Sequence, residues 1–143
     1  KVKFLYDNGE KGKFKVGNLK GYQRGNETYV VRMRERPLSL TRPMKSFTKV
    51  IDQGKVNLYE YNYTVNSGGY MGAGGVMVGS YSSNRTDYYL EKSSGQLMLV
   101  RTGNFKKEMS NYFKNNKDLS VSILEKELRY NDIEEIVRIY NSN

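Results

Sequence analysis

An α+β fold is predicted for this chain: an antiparallel β-sheet, arranged as a sandwich or a roll, followed by a C-terminal pack of about three short helices. Three observations predict it. Up to about residue 101, apolar and aromatic residues alternate with polar ones in short runs divided by Gly, Asn and Asp. After Gly103 the apolar period lengthens to that of a helix. Strands precede helices instead of alternating with them, which favours segregated layers over a parallel doubly wound sheet. At 143 residues the chain is expected to form one domain (1–143), mainly β over 1–101 and helical over 102–143.

Each element follows from its local pattern. Val2 to Tyr6 leads into Asp7-Asn8-Gly9-Glu10, whose Asn-Gly pair suits a tight hairpin turn, and Lys13 to Val16 returns beside it. Tyr29 to Arg34 is the next strand, and the segment after it holds Pro37 and Pro43, which cannot sit in a central ladder. Ser46 to Ile51, a turn at Asp52-Gln53-Gly54, and Lys55 to Val65 form a second hairpin. Thr86 to Lys92 and Gln96 to Arg101 form a third around Ser93-Ser94-Gly95. Helices are expected near 105–115, 119–128 and 132–141, with Phe105, Met109, Phe113, Ile123, Ile133, Ile136 and Val137 on the buried faces. Asp118 is the expected cap of the second helix, and Asn131 with Glu134 the expected reciprocal cap of the third.

The composition excludes much chemistry. With no His and no Cys, the chain cannot supply a Ser-His-Asp or Cys-His triad, a zinc finger, a haem attachment or an iron–sulfur site. Mean hydropathy is -0.76, no apolar run approaches a spanning length, and KVKFLYDNGEKGK lacks the apolar stretch of a signal peptide. The Gly-rich segment 66–80 fails the Walker pattern because Gly79 is followed by Ser80 and Tyr81. It also fails the dinucleotide fingerprint because Met77 stands where Gly is needed. Neither DNGE nor DQGK continues into an EF-hand loop. No cofactor and no metal are therefore expected. Glu60, Asp87 and Glu91 are the acids best placed for paired-carboxylate catalysis, although turn and helix roles account for most acids in the chain.

Three sets of residues are candidates for binding. The segment 66–80 contains six glycines and presents Tyr70, Met71, Val76, Met77 and Val78, either as an adaptable apolar tip or as a bare connector. On the strand before it, Tyr59, Tyr61 and Tyr63 share one face. They form either a partner-binding ladder or, the preferred reading, the face packed under the C-terminal helices. Residues 1–60 carry 14 Lys and Arg against 6 Asp and Glu. Lys11, Lys13 and Lys15, and likewise Arg32, Arg34 and Arg36, alternate so as to fall on single strand faces. These stripes either solvate the outside of the sheet or contact nucleic-acid phosphates.

DQGKVNLYEY (52–61), a Gly/Met/Ser-rich interruption, DYYLEK with SSGQLMLV, FKKEMSNYFKNN and YNDIEEIVRIYN follow one another in that order. Over residues 46–143 this order resembles uncharacterised secreted or envelope proteins of Bacteroidota. The resemblance implies export to the periplasm or cell surface of a Gram-negative bacterium and a non-enzymatic role, and it carries across no catalytic residues. The expected function is a binding or structural subunit that contacts another envelope protein, without a membrane span. A basic nucleic-acid-binding domain is the alternative.

Overall fold

The computed structural model describes residues 1–35, 42–75, 77–93 and 95–143. Strands β1 (Val2–Leu5) and β2 (Lys11–Phe14) pair as a separate hairpin. The main sheet contains β3 (Gly21–Arg24), β4 (Glu27–Arg34), β5 (Met44–Asp52), β6 (Asn57–Ser67), β9 (Tyr81–Glu91) and β10 (Leu97–Leu99), in the order β10-β9-β6-β5-β4-β3, with every neighbour antiparallel. Between β6 and β9 lies a minimal ladder of β7 (Tyr70–Met71) and β8 (Met77–Val78). Helices α1 (Phe105–Tyr112), α2 (Lys117–Leu124) and α3 (Ile133–Ser142) close the chain. The α+β expectation holds, in the form of a curled sheet followed by helices.

Besides β2, which spans Lys11–Phe14 in place of Lys13 to Val16, and the β7–β8 ladder in the segment expected as a loop, two strand assignments change. β3 was not expected, because GYQR is short and not apolar; it is joined to β4 by Gly25-Asn26, a dipeptide suited to a two-residue hairpin turn, with Gly25 at φ 57°. β9 begins at Tyr81 and not near Thr86, since polar residues 81–86 pair with β6 throughout.

The register assigns residues to the two faces of the sheet. Leu58 and Leu90 are paired and lie on one face with Tyr88 and Met98. Together with Val56 and Val100 they pack against Phe105, Met109, Phe113, Leu119, Ile123, Ile133, Ile136 and Val137. All seven expected helix positions are buried. Tyr59 is paired with Val50 on one side and Tyr89 on the other, and belongs to the opposite face. The tyrosine ladder therefore does not pack under the helices. Tyr59 and Tyr89 are nonetheless buried, because the sheet curls until β10 comes against β4 and encloses them with Leu99, Val30 and Val50. A sheet curled on itself is a roll, and its interior is the tyrosine face.

Long-range polar contacts lock the helices onto the sheet. The Asn141 amide imitates a peptide group: its Oδ1 accepts from Val56 N–H at 3.0 Å, and its Nδ2 donates to the Val56 carbonyl at 2.9 Å and to Asp52 Oδ1 at 3.2 Å. Gly54 makes room for it, since a Cβ there would stand 2.6 Å from Asn141 Cγ. Lys92 Nζ donates to the carbonyl of Tyr112 at 2.6 Å, at the C-terminal end of α1 where a cation is favoured. Neither expected cap forms, and α3 itself starts without a side-chain cap bond. Asn116, not Asp118, caps α2 by accepting from Leu119 N–H at 3.2 Å. Ahead of α3, the short 3-10 turn Tyr130–Asp132 is capped by Asp132 Oδ2, which accepts from Arg129 N–H at 2.8 Å.

Candidate functional site

The interior of the roll is polar as well as aromatic. Arg32 projects from β4 into it, and its Nη2 donates to Tyr59 Oη at 2.7 Å and to Glu91 Oε2 at 3.3 Å. Tyr59 Oη in turn donates to Glu91 Oε2 at 2.5 Å. Burial, then the bond to Glu91, raises the Tyr59 pKa, so the hydroxyl keeps its proton. Two residues along, Arg34 is buried with its Nε donating to Ser46 Oγ at 2.9 Å and its guanidinium 3.6 Å from the centre of the Tyr61 ring. These arginines bridge strands inside the fold, so Arg34 is withdrawn from any phosphate outside it. Arg36 lies outside the described residues.

Next to this network is a cleft of about 460 Å³, lined by Tyr63, Arg85, Asp87, Arg101 and Tyr130 among others. Asp87 Oδ1 accepts from Tyr63 Oη at 3.3 Å, while its buried Oδ2 meets no hydrogen-bond partner among the described residues. Burial raises the Asp87 pKa above its ordinary 3.8, outweighing the opposing effects of Tyr63 and Arg34. Folding thus favours the protonated form. The stability this contributes is present below pH 3.8 and is lost as pH rises from there through the raised value. Asp87→Asn, which fixes a neutral group and keeps an acceptor for Tyr63, is expected to raise the melting temperature at neutral pH and leave it unchanged in strong acid. Equal effects at both pH values would show that the carboxylate is not strained by folding.

Paired-carboxylate chemistry does not assemble. Asp87 and Glu91 are four residues apart on one strand, roughly 13 Å at the ordinary strand rise, beyond the reach such a pair needs. Glu60 lies on the other face, paired with Tyr88. Among the described residues no three Asp or Glu side chains converge as metal ligands would.

The pairing of β6 with β9 runs well past the rest of the sheet. β5 pairs with β6 only at residues 58–60, and β10 with β9 only at residues 89–91. Beyond them, residues 61–67 and 81–87 pair with each other alone among the described residues, forming an arm roughly 24 Å long. Cross-strand amide–hydroxyl pairs hold it on one face: Thr86 Oγ1 to Asn62 Oδ1 at 2.6 Å, Thr64 Oγ1 to Asn84 Oδ1 at 3.0 Å, and Ser82 Oγ to Asn66 Oδ1 at 2.7 Å. Its end exposes 63% of Tyr81 and 70% of Met71. Val76 and the side chains of Tyr70, Met77 and Val78 lie outside what is described.

The expected binding residues therefore separate. Tyr59 is sealed in the interior, Tyr61 and Tyr63 stack at 5.8 Å at the base of the arm, and Met71 stands at its tip. Lys11, Lys13 and Lys15 are exposed together on the β1–β2 hairpin, remote in sequence and setting from Arg32 and Arg34. The arm itself went unrecognised in the sequence because no apolar alternation marks 81–86; its signal is the Asn, Ser and Thr alternation on both sides of the glycines. No helix among the described residues is long and apolar enough to cross a membrane. No protein-family model, no curated protein and no solved structure matches this chain.

Proposed function

We propose that this chain is a non-enzymatic binding subunit of the cell envelope that engages another envelope protein through the β6–β9 arm. The observation that carries this is the arm's independence from the core. Its outer part contributes to neither apolar cluster, yet seven consecutive register pairs and a cross-strand polar ladder keep it extended. Each strand of the arm presents an open backbone edge among the described residues, and such an edge pairs readily with an added strand. The tip adds Met71 and Tyr81, side chains that bury large area on contact. The setting in the envelope rests on the order of the sequence motifs.

Replacing residues 68–79 with a short Gly-Ser linker is expected to shift the melting temperature by no more than about 2 °C, as surface changes remote from a core do. The same change is expected to abolish recovery of the partner from native envelope fractions. Unchanged recovery would make the tip a bare connector. A chain found only in the cytoplasmic fraction would remove the envelope setting.

A further inference from the structure

The β1–β2 hairpin has two unlike faces. Val2, Phe4 and Phe14 are half-buried on one of them, where Phe4 meets Phe14 at 5.4 Å and Tyr22 of β3 at 6.3 Å. These ring contacts hold the hairpin on the sheet with its other face outward. That outward face carries Lys3, Leu5, Lys11 and Lys13, and the strand alternation extends it to Lys1 and Lys15. All five lysines are exposed, and none takes part in an ion pair among the described residues. Lys3 is directly opposite Lys13 in the register, an arrangement of like charges that weakens a hairpin. Asp7 and Glu10 lie in the turn, outside the ladder they would have to neutralise.

Leu5 is directly opposite Lys11 on this basic face and is 71% exposed, whereas the Tyr6 ring lies over Gly12 on the other face. We propose that the outward face of the β1–β2 hairpin docks on an anionic lipid surface, with the lysines among the headgroups and Leu5 inserted beneath them. Lysines placed close to an anionic leaflet attract it, while an aliphatic side chain among them suits the boundary between headgroups and acyl chains. Nucleic acid fits less well. The lysine face carries no aromatic ring on which a base could stack and no arginine fork for a phosphate, and a phosphate backbone offers Leu5 nothing apolar to enter. The proposal concerns a surface separate from the arm and does not depend on the arm's partner.

The test is flotation of the full chain with vesicles of phosphatidylcholine alone, or of three parts phosphatidylcholine to one part phosphatidylglycerol, at low and high salt. Binding is expected on the anionic vesicles only and should weaken as salt rises. A basic residue near such a surface contributes about 1 kcal/mol, roughly fivefold. The variant Lys3→Glu with Lys13→Glu is therefore expected to lose at least about 25-fold in partitioning, and Lys11→Gln with Lys15→Gln provides a second, milder pair. Leu5→Ser should weaken binding without altering its salt dependence. Equal binding to both vesicle types, or lysine variants that bind like the parent, would overturn the proposal. So would tight, salt-sensitive binding to a duplex DNA by a chain that ignores the vesicles, which would favour the phosphate-contact reading of Lys11, Lys13 and Lys15.

Discussion

Phe113→Ala is expected to lower the free energy of unfolding by about 3–5 kcal/mol. Phe113 is fully buried where the end of α1 meets α3, with its ring 5.0 Å from that of Tyr140 and 5.0 Å from that of Tyr112. Truncation removes apolar area from the core and leaves a cavity whose walls are tied in place. Lys92 holds the end of α1 through the Tyr112 carbonyl, and Asn141 holds the end of α3 through the Val56 backbone. A site that cannot collapse retains most of its cavity penalty, which puts the effect in the upper part of the usual range. In a chain of this size the loss corresponds to roughly 10–15 °C in melting temperature. Leu124→Ala is the control, since Leu124 is 43% exposed at the end of α2, and it should cost less than about 1 kcal/mol. Urea unfolding followed by circular dichroism measures both, and a loss below that of Leu124→Ala would show that α1 and α3 separate without a shared core.

The helical part of the fold was legible because its signal is local. Phe105, Met109 and Phe113 repeat at helical spacing, and every position selected by that spacing is buried. The sheet was legible as strands but not as faces. Period two tells which residues share a side; it does not tell which side receives the helices when both sides are rich in apolar or aromatic groups. In VNLYEYNY, Val56 and Leu58 face the helices, Tyr59 and Tyr61 face the roll interior, and Tyr63 continues the tyrosine face onto the arm. What decides between them is the curl of the sheet, a property of six strands together. The inward position of Arg32 and Arg34 is not legible in the sequence for a related reason. Buried arginine is rare unless paired, and their partners Ser46, Tyr59 and Glu91 lie 12 to 59 residues away.

The motifs that were grouped by their order in the chain acquire physical roles once folded. In YYLEK, Tyr88 and Leu90 serve the helix face, Tyr89 and Glu91 the interior, and Lys92 the end of α1. Asp52 and Gly54 at the end of β5 and Asn141 near the end of α3 form a single contact, in which the amide needs both the carboxylate and the absence of a Cβ. No candidate site of the sequence reading required these pairings, since each residue alone suits a turn or a helix end.

Glu91→Ala is expected to cost about 2–3 kcal/mol, somewhat below the full value for breaking a buried ion pair. Glu91 Oε2 is the point on which Tyr59 Oη, Arg32 Nη2 and Asn57 Nδ2 converge, at 2.5, 3.3 and 3.4 Å. Removing the carboxylate strands the Arg32 charge and the fully buried Tyr59 hydroxyl, which then lose more than the hydrogen bonds themselves. The discount arises because 31% of the Arg32 side chain still reaches water and can be resolvated there. Glu91→Gln keeps an acceptor of the same shape and should cost about half as much, the difference measuring the charge alone. Arg32→Ala strands the carboxylate instead, and the double variant Arg32→Ala with Glu91→Ala is expected to be more stable than the sum of the two single losses implies, by at least about 1 kcal/mol. Urea unfolding of the four proteins closes that cycle. Additive losses would mean that Arg32 and Glu91 stabilise the roll separately, leaving the curl to Tyr59, Tyr89 and Leu99.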